Sequence, residues 1–148
     1  MSLEDWLVDK LIEKHRPSAR EIAALLKICD RDLEKCRTSG LGPDWQLGIA
    51  YNAALQAAAA ALSAAGYRAR KEGHHYRVIQ SLAYTINAEP TLIKQLDKLR
   101  QKRNISDYER AGMITQTEAD AMLSLAKLLR ERVEQWIRIH HSELAKEL

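Results

Sequence analysis

Phenylalanine is absent from the 148 residues, glycine occurs six times and proline three times. So few chain breakers, set in a sequence dominated by leucine and alanine, indicate a mostly helical protein. No segment sustains period-two alternation of apolar and polar residues, so no strand is expected. A glycine-rich phosphate cradle, a Ser-His-Asp spacing, internal repeats and low-complexity tracts are all missing, which argues against nucleotide-triphosphate hydrolysis. At this length one core, and a single domain over 1–148, is expected.

Cysteine is scarce as well. Cys29 and Cys36 stand seven residues apart on one expected helix, about 10 Å along its axis and beyond disulfide reach. With no second Cys or His cluster at ligand spacing, they read as buried thiols in a reducing cytosol, and no metal or cofactor is expected. The first residues lack the charged, apolar and small-residue order of an export signal, so a cytoplasmic location is expected. Residues 45–67 carry no charge and match a membrane span in length. Asn52, Gln56 and the weakly apolar alanines point instead to the buried helix of a bundle, without membrane association.

The elements follow from apolar spacing and caps. Residues 3–15 read as a short amphipathic helix with Leu3, Trp6, Leu7 and Leu11 on one side, ended at Pro17. Ser18 with Glu21 has the spacing of a capping box for a second helix, whose Ile22, Leu26, Cys29, Leu33 and Cys36 alternate steps of four and three. Asp44 is placed to cap a third helix, which contains the run Ala57-Ala58-Ala59-Ala60-Ala61 and stops at Gly66. Tyr51, Asn52 and Gln56 interrupt its apolar surface and are expected to be hydrogen-bonded core positions. After a basic loop, a short fourth helix carries His75, Ile79, Leu82 and Ile86 on one side, and Pro90 opens a fifth. Thr115 with Glu118 forms a second capping box before a long final helix, and the polar tail 140–148 is expected to fray. The whole reads as an all-α, up-and-down bundle of five to six helices around the alanine-rich third.

Charge is modest in total and uneven in place. The formal net charge is +3, but 68–110 holds ten Lys or Arg against five Asp or Glu, a net of +5. Such a segment could guide a polyanion, and could equally be a solvated helix face. Within it, Leu92, Leu96 and Leu99 mark the buried stripe of the fifth helix, and the next place on that stripe is Arg103. A guanidinium on a seam meant for burial is costly unless it is paired or used. Asp107 follows four residues later on the same face, with Tyr108 beside it. An exposed Arg–Asp pair stabilises by only about 0.3–0.5 kcal/mol, too little to account for the interruption.

The string Arg103-Asn104-Ile105-Ser106-Asp107-Tyr108, followed by the break at Gly112 and a long last helix, resembles the HEPN superfamily over 23–136. The resemblance implies a small helical bundle, homodimerisation with the motif helices facing each other, and association with RNA or nucleotides. It also implies one half of a toxin–antitoxin or nucleotidyltransferase pair. Catalytic members carry Arg, four to six residues, then His, and here Tyr108, Glu109 and Arg110 stand at the three places where that His would fall. A phenol, with an ordinary pKa of about 10, does not easily replace an imidazole in proton transfer. The reading is therefore a binding module with Arg103, Asn104, Asp107, Tyr108, His74 and His75 as its binding residues and little nuclease activity. Two alternatives stay open. One is a metal-independent RNA endonuclease toxin that uses Arg103 with His74 or His75. The other is a helical protein-interaction module, with Arg103 and Asp107 in an intrahelical ion pair and Tyr108 packed under the last helix. Arg70 and His75 also fit an Arg-x4-His string, but outside the helix end where the family places its motif.

Overall fold

The structure, a computed structural model, describes the backbone of residues 1–108 and 113–148, and the side chains of 1–104 and 113–148. In chain order the elements are α1 (Leu3–Val8), β1 (Ile12–Lys14), α2 (Ala19–Lys35), α3 (Pro43–Ala64), β2 (Tyr67–Ala69), α4 (His74–Gln80), α5 (Pro90–Tyr108) and α6 (Gln116–His140). Short 3-10 turns follow α4 and α6. The expected all-α bundle is what the chain forms.

Helix α3 is its axis. Leu47, Ala50, Ala53, Ala54, Ala57, Ala58, Ala60, Ala61, Leu62 and Ala64 are all buried, over more than half of the helix circumference. Small side chains let α2 and α6 lie close against it along most of their lengths. By length and composition α3 could cross a membrane, but 72% of its most apolar window is buried inside the bundle, which accounts for its hydropathy. It begins at Pro43 after Gly42, without a side-chain cap, so Asp44 is not the cap that its position suggested. Gly66 ends it at φ +96, a conformation that L side chains rarely adopt.

The facing stripes fall largely where spacing placed them, with Leu33 of α2 and Trp136 of α6 only half-buried. Ile22, Leu26 and Cys29 of α2, with Cys36 just beyond it, are buried, as are Ala119, Met122, Ala126, Leu129, Val133 and Ile137 of α6. Both cysteines are free thiols. Of the polar residues on α3, Asn52 donates to the buried Asp32 at 2.6 Å, and Gln56 donates to Asn52 at 3.4 Å.

Three expectations need correction. The first helix stops at Val8; Lys10 turns the chain at φ +60, and 12–14 form a strand, so 3–15 is not one helix. That strand pairs antiparallel with β2, Ile12 opposite Ala69 and Lys14 opposite Tyr67. Three residues are too few for alternation to be read, and Leu7 and Leu11 imitate helical spacing. Second, Ser18 accepts from the Glu21 amide at 3.1 Å, but the Glu21 carboxylate turns to His15 at 2.7 Å and to the Ser63 hydroxyl, so the reciprocal half of that capping box is lost to a tertiary contact. Third, the tail beyond His140 turns into a 3-10 segment, Ser142–Ala145, that buries Ala145 against α2 and α6. The capping box of Thr115 and Glu118 forms in full.

Candidate functional site

Helix α5 positions the site through its own periodicity. Leu92, Leu96 and Leu99 are buried, and one turn further the guanidinium of Arg103 lies over the ring of Tyr51, 5.1 Å from its centroid. Tyr51 comes from α3 and is only 1% exposed. Its ring offers a negative π-face to the cation, which stabilises by about 0.5–2 kcal/mol, depending on desolvation. The stem of Arg103 covers apolar surface while its head stays half-buried. The charge on the apolar seam is thus accommodated by an aromatic face.

From the other side of the cluster α4 brings His75, whose ring centroid is 5.9 Å from that of Tyr51. His74 is exposed, its ring 5.8 Å from that of His75. Arg100, one turn before Arg103, is held by Asp97 at 2.8 Å and lies over Tyr76, 5.6 Å from the ring centroid. Arg77 lies over the same Tyr76 ring at 5.6 Å and over Trp6 of α1 at 5.2 Å. The result is a basic, aromatic-backed surface where α3, α4 and α5 meet.

Its electrostatics favour neutral forms beside the cations. Burial, then Arg103, His74 and Arg100, push the His75 pKa below its ordinary 6.5, so its imidazole is uncharged at neutral pH. Burial pushes the Tyr51 phenol up to about 12, although Arg100 and Arg103 pull in the opposite direction. The phenol therefore keeps its proton, and its hydroxyl finds no hydrogen-bond partner among the described residues. An unmet buried hydroxyl costs about 1–3 kcal/mol. Chemically, a guanidinium can hold an anion and a neutral imidazole beside it can take a proton, while the Tyr51 hydroxyl is buried away from solvent.

Of the residues singled out in the sequence, Arg103 and His75 come together on Tyr51, with His74 at the rim. Asn104 is half-buried on the next position of α5. The side chains of Asp107 and Tyr108 lie outside the described residues, as do Glu109, Arg110 and Gly112, so the expected Arg103–Asp107–Tyr108 cluster falls there in part. Tyr51, Tyr76, Arg77 and Arg100 were not picked out as site residues. Tyr51 looks like a core residue from its spacing, and only its place beside Arg103, about a third of the chain away in sequence, reveals more. Among the described residues no group of three His, Cys, Asp or Glu side chains is placed to hold a metal ion.

An all-helical bundle with this basic surface at the end of its fifth helix defines the class. The model of the HEPN domain matches residues 24–136, about three quarters of the chain, and the protein belongs to that family. Family membership places it among RNA-related proteins. No curated protein and no solved structure matches it.

Proposed function

We propose that this HEPN domain is an RNA- or nucleotide-associated module that seats a phosphate at Arg103 and cleaves RNA poorly. The observation that carries the reading is the convergence of Arg103 and His75 on the buried ring of Tyr51. A phosphate oxygen could accept from the guanidinium, with the Tyr51 ring backing the site. Asn104, Asp107, Tyr108 and His74 complete the proposed binding set. Poor cleavage follows from the residues after Arg103, where Tyr108, Glu109 and Arg110 replace the family's His. The module is read as a cytoplasmic homodimer and as one half of a toxin–antitoxin or nucleotidyltransferase pair.

A second reading is a metal-independent endonuclease. The neutral His75 beside Arg103 favours it, because an uncharged imidazole can accept the proton of an RNA 2′-hydroxyl while the guanidinium holds the phosphate. One assay separates the two. Wild type, Arg103→Ala, His75→Ala and Tyr51→Phe are mixed with structured and single-stranded RNA, and both binding and cleavage are measured over a salt series. The module reading expects salt-sensitive binding without turnover, weakened by Arg103→Ala and little changed by Tyr51→Phe, which keeps the ring under the guanidinium. Robust cleavage without added metal, abolished by His75→Ala, would establish the nuclease instead. Absence of binding by every variant would leave a protein-interaction role.

A further inference from the structure

A groove of about 1100 Å³ runs beside the Arg103–His75 site, between the small sheet and the start of α4. Lys10, Arg68, Arg70, Lys71 and Arg77 line it, with His74 at one end. Its two acids are Glu13 and Glu72, and Glu13 is already paired with Arg68. Five Lys or Arg against two Glu leave three positive charges, as many as the formal excess of the whole chain. Lys10, Arg70 and Lys71 are exposed and form no ion pair among the described residues. Their charge is therefore available to a ligand.

The groove depends on tertiary structure that lies partly outside the family match of 24–136. Pairing of Ile12 with Ala69 carries Lys10, just before β1, alongside the loop just after β2 that holds Arg70 and Lys71. Two links join the groove to the site. His74 lines the groove and packs its ring 5.8 Å from that of His75. Arg77 lines it too, and shares the Tyr76 ring with Arg100, the neighbour of Arg103 on α5.

A single mononucleotide is smaller than the combined surface, since pockets for such ligands run to about 300–1000 Å³. A flat anionic membrane meets convex surfaces better than a concave one. An extended strand with a charge at every nucleotide can occupy groove and site at once. Resting on the RNA reading above, we propose that this groove is the track for the phosphate backbone of a single RNA strand whose neighbouring nucleotide occupies the Arg103–His75 site.

The test uses the full chain and the triple variant Lys10→Gln/Arg70→Gln/Lys71→Gln. All three side chains are exposed, and circular dichroism with thermal unfolding checks that the variant folds. The probes are a labelled oligouridylate of about 20 nucleotides and a uridine dinucleotide. The triple variant should bind the long probe about tenfold or more weakly, with the slope of log affinity against log salt reduced by about 2, at roughly 0.7 per lost contact. Its affinity for the dinucleotide should stay that of wild type, whereas Arg103→Ala weakens both. Wild-type affinity and slope in the triple variant, with loss only in Arg103→Ala, would overturn the track and leave the RNA reading standing. Equal loss of both probes in a folded triple variant would also overturn it, since the groove would then act on the site and not as a track. Capture by phosphatidylserine vesicles that depends on the groove, with RNA binding that does not, would reassign it to a membrane. Failure of wild type to bind either probe would overturn the RNA reading and the track together.

Discussion

At the scale of single residues, the interruption of the α5 stripe by Arg103 is eased by the buried ring of Tyr51, over which its guanidinium lies. The arrangement has an electrostatic cost that His75 registers. Desolvation and the charges of Arg103, His74 and Arg100 all disfavour its protonated form. In the unfolded chain the imidazole returns to about 6.5. The unfolded state therefore binds more protons between the lowered native pKa and 6.5, and stability rises with pH across that window. The His75 contribution is fully present above pH 6.5 and declines as pH falls through the native value. Nuclear magnetic resonance titration of the ring should give a pKa below 6.5 in wild type and a value moved upward in Arg103→Ala. A wild-type His75 that titrates at or above 6.5 would remove the basis for a neutral imidazole in the site.

At the scale of elements, the two Ser/Thr-x-x-Glu signatures show what local sequence can and cannot carry. Both cap residues accept from the amide three positions on, Ser18 at 3.1 Å and Thr115 at 3.1 Å. Glu118 completes its box at 3.0 Å and also meets Lys102 of α5, so a local signal and a tertiary contact agree. Glu21 abandons its box for His15 and Ser63, contacts 6 and 42 residues away that no local pattern contains. The helices α2, α5 and α6 are legible because their apolar periods run over several turns, and α3 because an uncharged, alanine-rich run lies between turn residues. The strands β1 and β2 are not, because each is three residues long and exists only through the other. The same reasoning sizes a mutation. Thr115→Ala removes a full cap and should lower unfolding free energy by about 1 kcal/mol in denaturant titration. An unchanged midpoint would mean that the Lys102–Glu118 contact alone sets the start of α6.

At the scale of the molecule, Arg103 could be singled out from sequence and its surroundings could not. Tyr51, His75 and Arg103 are spread over 51–103, and Lys10 reaches the Arg70 loop only through the sheet. Large-scale packing also leaves apolar surface at one end. Trp45, near the start of α3, is 70% exposed, and Met113, just before α6, is 50% exposed. Gln116 donates to Gln46 at 2.7 Å, which ties the starts of α6 and α3 together and puts these two side chains at the same end of the bundle. Lys102 joins Glu118 there, so the last turns of α5 approach that end as well. HEPN domains often dimerise, and pairing of the motif helices would draw Trp45 and Met113 out of water. Burying an indole removes enough apolar area for about 2–3 kcal/mol at roughly 25 cal/mol per Å². Light scattering at micromolar concentration should therefore give twice the monomer mass of 16.8 kDa. Trp45→Ala, at a position too exposed to matter for the fold, should shift the equilibrium toward monomer. A wild-type mass that stays monomeric at every concentration would count against the dimer. A dimer indifferent to Trp45→Ala would keep the pairing and move it to another face.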